Sequence, residues 1–135
     1  MNEAALLPAA TVTVLALLMY LYMGLNVSAM RDKHGVVPPA TTGAAEFERA
    51  FRVHQNTLEA IPLFLGPLWL AAIYFRPAQW LPAVIGLVWI GGRFLYMRGY
   101  IAAAERRTAG LRIQGAAMLV NLVLAVAGLA TTKVG

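Results

Sequence analysis

Long uncharged stretches alternate along the chain with short charged ones. The uncharged stretches predict four transmembrane helices, because about 20 apolar residues in an α-helix cross a bilayer core of about 30 Å. The predicted helices span approximately residues 4–30, 44–75, 79–107 and 113–132, and Pro38-Pro39 excludes a regular helix interior in the first loop. The pattern therefore predicts an all-α, integral membrane four-helix bundle, a single domain over residues 1–135.

Composition supports this interpretation. Hydrophobic residues make up 60% of the 135 positions and charged residues only 13%, which is more apolar surface than a soluble domain of this size could bury. The net charge of +5 is explained by the excess of Lys and Arg in cytoplasmic loops, so we predict no nucleic-acid partner. Most basic residues flank the first and third loops, which places those loops in the cytoplasm: Arg31, Lys33, Arg49, Arg52, Arg98, Arg106, Arg107 and Arg112.

The absence of cysteine limits the chemistry. The chain has no thiol nucleophile or thiolate ligand of its own, and any thiol chemistry must use a thiol that a ligand supplies. The two histidines, His34 and His54, have no metal-ligand spacing, so we predict no metal site. His54 alone is more typical of a packing or interface residue.

One face of the second predicted helix carries a polar stripe. Arg49, Arg52, Asn56 and Glu59 follow one another at spacings of three, four and three residues, which places them within roughly 80° on one helix face. Polar side chains that run into lipid are costly, so this stripe should face protein or a water-filled cavity. We interpret it as a candidate functional site.

The third predicted helix carries a matching stripe of Arg93, Tyr96, Tyr100 and Arg107, within about 60° on one face. Both helices leave the same short turn near Arg76. Counted from that turn, the two stripes reach the same depth, toward the cytoplasmic side.

Simpler readings of single residues stay open. Arg93 could pair with Glu59 for structure alone, and Tyr96 and Tyr100 could be aromatic residues of the membrane interface. A pocket with several guanidinium groups and one carboxylate nevertheless suits a small ligand that has several carboxylates and an amine.

Two runs of sequence resemble a known family. They are PPATTGAAEFERAFRVHQNTLEAIPLFL and RFLYMRGYIAAAERR, and they are similar to the MAPEG family, the membrane-associated proteins of eicosanoid and glutathione metabolism. The likeness is to the branch of the leukotriene-C4 synthases and the type 2 and 3 microsomal glutathione transferases. It implies a homotrimer of four-helix subunits with glutathione as co-substrate, bound between neighbouring subunits near the cytoplasmic face.

The resemblance also implies roles for individual residues. Arg107 matches the arginine that faces the glutathione sulfur and is the implied catalytic residue. Arg31 and His54 would reach the peptide from the neighbouring subunit. The other implied glutathione-binding residues are Arg52, Asn56, Glu59, Tyr96, Tyr100 and Arg93, the last with a less certain role. The chain departs from the leukotriene-C4 synthases at His54, where they have glutamine, and at Ala60, where they have tyrosine.

The resulting hypothesis is a detoxifying, membrane-bound glutathione transferase. It would conjugate the thiolate to lipophilic electrophiles from the bilayer, with lipid hydroperoxides as further substrates. The alternative is a non-catalytic lipid-binding or scaffold protein of the same fold, like the five-lipoxygenase-activating protein, and a third is a channel subunit. No retrieval signal is evident, which favours a bacterial inner membrane over the endoplasmic reticulum.

Overall fold

Four long helices form an antiparallel bundle in the computed structural model, which describes residues 2–133. They are α1 (Glu3–His34), α2 (Ala45–Tyr74), α3 (Leu81–Ala102) and α4 (Thr108–Thr131). Two short 3-10 helices complete the chain, Arg76–Ala78 before α3 and Ala104–Arg107 before α4. The first and third loops lie at one end of the bundle and the second loop at the other.

The core of the bundle is built from periodic apolar positions. Along α1 the buried side chains recur every three or four residues, which makes one stripe of the helix face its neighbours: Ala9, Val12, Ala16, Met19, Met23 and Val27. At the centre Phe64 of α2 and Trp89 of α3 stack with their ring centroids 4.0 Å apart.

Polar contacts join α1 to α2 across the first loop. Gly35 ends α1 in the left-handed conformation, at φ 66°, which glycine adopts without strain. The carboxylate of Glu46 accepts hydrogen bonds from Lys33 and from the imidazole of His34, both 2.9 Å long. These contacts hold the start of α2 against the end of α1.

The third loop differs from the sequence prediction. The third helix was expected to continue to residue 107, but α3 ends at Ala102, and Ala103 is extended with φ −161° and ψ 137°. Arg107 therefore lies in a 3-10 helix after α3 and not on the helix itself. The fourth helix begins at Thr108, five residues before the expected 113, because the chain turns back over the end of α3.

Close backbone contact between α3 and α4 explains two of the glycines. A Cβ atom at Gly110 of α4 would collide with the backbone of Gly92 and Tyr96 on α3, and one at Gly92 would lie 2.8 Å from the backbone nitrogen of Gln114. Small residues at such crossings let transmembrane helices approach closely. The approach fixes Tyr96 against the start of α4.

The outer surface is apolar over most of its length. Three segments are long and apolar enough to cross a membrane, Glu3–His34, Ala45–Tyr74 and Ala104–Thr131. The shorter α3 carries Arg93 and Arg98 among its 22 residues. Large exposed side chains cover the outside, among them Leu17, Leu21, Leu63, Leu87 and Val123. A continuous exposed apolar surface of this kind is typical of contact with lipid.

Candidate functional site

Arg93 is the most buried charged side chain of the site. It is fully buried in α3, and its Nη2 donates hydrogen bonds to Asn56 Oδ1 at 3.1 Å and to Thr57 Oγ1 at 2.6 Å. Its guanidinium carbon also lies 4.5 Å from the ring centroid of Tyr96. Burying a charge is costly without partners, and these contacts with α2 and α3 offset part of that cost.

Thr57 is a site residue that the sequence reasoning missed. It is fully buried. Its hydroxyl accepts the hydrogen bond from Arg93 and donates one to the backbone carbonyl of Val53 in its own helix, at 2.8 Å. Its one sequence signal is a hydroxyl directly after Asn56, at the depth of Arg93. The stripe was defined by charged and amide side chains, and Thr57 was not assigned to it.

The alternative reading, in which Arg93 pairs with Glu59, is not what the structure shows. The Glu59 carboxylate is instead within 4.0 Å of the Arg52 guanidinium on the same helix, with the two side chains 63% and 54% exposed. Asn56, Glu59 and Arg93 nevertheless line one cavity of about 270 Å³ between α2, α3 and α4. The lining of the cavity also includes Gln114 from α4 and several apolar side chains: Ala60, Leu63, Trp89, Leu111 and Met118.

Two tyrosines extend the site toward the third loop. The rings of Tyr96 and Tyr100 stack with centroids 5.7 Å apart, and the guanidinium of Arg107 lies over Tyr100 at 5.4 Å from its centroid. The expected alignment of Arg107 with the α3 stripe is therefore retained, although a 3-10 helix and not α3 presents it. Arg107 is exposed and can face a ligand.

A second cavity continues the site toward the first and third loops. Arg49, Arg52, Tyr100 and Ala104 are among the residues that line its volume of about 430 Å³. Arg49 donates from Nε to the carbonyl oxygen of Ile101 at 2.8 Å, which connects the start of α2 to the end of α3. The two polar stripes thus meet at one depth along α2 and α3.

Arg31 and His54 lie away from these cavities. Arg31 donates to the carbonyl of Ala40 at 2.6 Å and lies over the ring of Phe47, at the end of α1. His54 stacks on Tyr20 with centroids 4.5 Å apart, on the side of α2 that faces α1. Two residues along a helix are about 200° apart, so His54 points away from Arg52. Neither residue contacts the two polar stripes.

Comparison with known proteins agrees with this architecture. The family model described as MAPEG matches residues 9–130. The chain belongs to the MAPEG family. It is 43% identical over 128 residues to leukotriene C4 synthase of Cavia porcellus, which covers 95% of this chain and 83% of the relative. It is 42% identical over 122 residues to microsomal glutathione S-transferase 2 of Mus musculus, with 90% and 82% covered.

A bacterial relative is equally similar. An uncharacterized protein of Synechocystis is 45% identical over 123 residues, which cover 91% of this chain and 88% of that protein. MAPEG membership and the apolar helices together make the chain a multi-pass membrane protein. The resemblance to the MAPEG family, predicted from residues 38–65 and 93–107, is confirmed.

Proposed function

We propose that this MAPEG protein is a membrane-bound glutathione transferase, which activates the glutathione thiol for attack on lipophilic electrophiles. The observation that carries the proposal is the meeting of the two stripes. Arg93 is anchored on Asn56 and Thr57, while Tyr96 and Tyr100 stack between it and Arg107. Relatives named for glutathione transfer and for leukotriene C4 synthesis support it.

The charges of the site suit the peptide. Glutathione has two carboxylates, one ammonium group and one thiol. Arg52 is half exposed at the cavity edge and can take a carboxylate bidentately, while Glu59 beside it can accept from the ammonium group. Asn56 and the two tyrosines offer hydrogen bonds between these ends. Arg93 is already committed to Asn56 and Thr57, so we assign it to holding Asn56 in position and contributing positive potential.

Arg107 is the residue proposed for the chemistry. A thiol with a pKa near 8.5 is only a few per cent ionised at pH 7. A guanidinium beside the sulfur favours the anion, and lowering the pKa of the thiol by two units requires about 2.7 kcal/mol. With an aryl halide, the thiolate sulfur bonds to the ring carbon, halide leaves, and the proton is released to water. With a lipid hydroperoxide, two glutathione molecules would yield the alcohol, water and glutathione disulfide.

The second substrate would enter from the bilayer. The cavity of about 270 Å³ that is lined by Glu59 and Arg93 also has the apolar side chains Leu63, Leu111 and Met118 in its lining. An apolar electrophile dissolved in lipid would therefore meet the peptide site without crossing water.

The positions of Arg31 and His54 support the proposed homotrimer. They lie on faces that cannot reach their own subunit's stripes, while the stripe residues Arg52, Glu59 and Arg107 are exposed to the outside. A neighbouring subunit that brings its Arg31 and His54 to this opening would complete the site. We further propose a bacterial inner membrane with the first and third loops in the cytoplasm, which agrees with their basic residues. A protein mass in mild detergent that corresponds to one or two chains would contradict the trimer.

Turnover separates the proposed function from its rivals. Purified protein in detergent is assayed with glutathione and 1-chloro-2,4-dinitrobenzene, and glutathione binding is measured by calorimetry on the same sample. We expect saturable conjugation and binding. Binding without turnover would favour the scaffold protein. The absence of both binding and turnover would contradict the assignment of the site. Arg112→Gln is the matched control, because Arg112 is a basic residue of α4 outside the cavities of the site.

A further inference from the structure

A separate cavity of about 470 Å³ lies at the loop end of the bundle, between α1, α2 and α3. Its lining includes Asn26 from α1, Glu46 and Arg49 from α2, and Arg98 with Ile101 from α3. It shares only Arg49 with the cavities of the proposed glutathione site. Arg98 lies on the opposite face of α3 from Tyr96 and Tyr100, about 180° around the helix. The cavity therefore opens on another side of the bundle.

Hydrogen-bond donors in this cavity have spare capacity. Within residues 2–133 the side chains of Asn26 and Arg98 make no hydrogen bond, and Arg49 uses only its Nε, on the carbonyl of Ile101. Two guanidinium groups and an amide therefore face one volume with free N–H groups. This donor set matches a phosphate group, which guanidinium binds with charge-assisted, paired hydrogen bonds.

The one carboxylate of the cavity does not cancel these charges. Glu46 accepts hydrogen bonds from both Lys33 and His34 through Oε2. Its negative charge is therefore compensated by these two residues, which do not line the cavity, and not by the arginines of the cavity. Its Oε1 accepts no hydrogen bond from the described residues. That oxygen can accept from a hydroxyl or ammonium group attached to the phosphate.

An aromatic surface continues from the cavity into the membrane. Tyr22 and Phe94 lie one helical turn deeper than Asn26 and Arg98, with ring centroids 6.1 Å apart. They are 52% and 37% exposed, so an acyl chain can run along them. A charged end for phosphate and an apolar surface at membrane depth together fit an amphiphile.

We propose that this cavity is a binding site for a membrane phospholipid, with its phosphate on Arg98 and Arg49 and its acyl chain along Tyr22 and Phe94. Basic pockets between helices at the cytoplasmic side of a membrane are suited to anionic lipid headgroups. The occupant is a lipid and not free phosphate, because the apolar surface begins where the charged lining ends.

The test is native mass spectrometry of the full chain released from detergent. Phosphatidylglycerol is the probe, the diacylglycerol with the same acyl chains tests the need for phosphate, and glycerol 1-phosphate tests the need for the chains. We expect retained phosphatidylglycerol, little diacylglycerol and little glycerol phosphate. Arg98→Gln should weaken phosphatidylglycerol binding about tenfold, the loss expected for one charge-assisted contact.

Arg106→Gln is the matched control, because Arg106 is an exposed basic residue of the same loop end that does not line the cavity. Tyr22→Ala is a second variant, expected to weaken lipid binding without creating any glycerol phosphate binding. Equal loss in Arg98→Gln and Arg106→Gln would overturn the site, since charge alone would then explain retention. Retention of diacylglycerol equal to that of phosphatidylglycerol would overturn the role of the phosphate. Retention of glycerol 1-phosphate equal to that of phosphatidylglycerol would overturn the role of the acyl chains.

Discussion

Single residues decide how the charged site can exist inside the bundle. Arg93 is fully buried, yet its Nε has no hydrogen-bond partner within residues 2–133, and only Nη2 is bonded, to Asn56 and Thr57. The arginine at this depth was foreseen from its spacing along α3. Its partners were not, because pairing with Glu59 or with Asn56 depends on side-chain rotamers that spacing does not define.

Thr57 should therefore be important for stability. Thr57→Val keeps the shape but removes the acceptor for Arg93, and leaving a charged donor short of a partner costs about 1–3 kcal/mol. We expect a lower unfolding temperature in detergent. Thr11→Val is the control, because the exposed Thr11 hydroxyl bonds only to Leu7 of its own helix. Equal melting temperatures for the two variants would show that Thr57 does not support Arg93.

Arg107 should control turnover through the ionisation of the thiol. If it lowers the thiol pKa by about two units, Arg107→Ser should reduce kcat at pH 7 by roughly 20-fold while glutathione affinity changes little. Because the variant's thiol would titrate near its free pKa of about 8.5, its kcat should rise as the pH rises through that range. Wild-type kcat should already be level there.

Arg106→Ser is the control for Arg107, since it removes a neighbouring exposed charge. A pH profile of kcat that is the same for Arg107→Ser and for Arg106→Ser would contradict the assigned role.

At the scale of elements, the sequence predicted four helices in the correct order, and the predicted ends of α2 lie within one residue of those in the structure, whereas the end of α3 and the start of α4 each differ by five residues. The end of α3 was wrong because the run from Tyr100 to Ala109 contains no proline or glycine and has good helix propensity. The break at Ala103 comes from tertiary packing instead. The backbone of Arg106 folds back against Gly99, and α4 then crosses α3 at Gly110.

That crossing gives a prediction for α4. Gly110→Ala should lower the unfolding temperature and the conjugation rate, because its methyl group would push α4 away from Tyr96. Gly115→Ala on the same helix meets no atom within 4 Å and should be neutral or stabilising, since alanine favours helix. Thermal unfolding in detergent compares the two. Equal stability of both variants would show that the α3–α4 contact tolerates a side chain.

At the scale of the whole molecule, the proposed site lies at the outside of the four-helix bundle. The cavities that hold Asn56, Glu59, Arg93 and Tyr100 open to the outside, and Arg107 is exposed. Sequence spacing could predict the depth of these residues because a helix has a fixed rise per residue. It could not predict whether another chain covers the opening, because the helix geometry of one chain does not define contacts with other copies. Only the resemblance to MAPEG suggested the trimer.

The ultraviolet absorption of bound thiolate tests the central claim most directly. Glutathione is added to purified protein in detergent at neutral pH, and the difference spectrum is compared with that of S-methylglutathione, which has no ionisable thiol. We predict a thiolate band for the wild-type protein that saturates with glutathione binding and is lost in Arg107→Ser. Bound glutathione without a thiolate band in the wild-type protein would contradict the account.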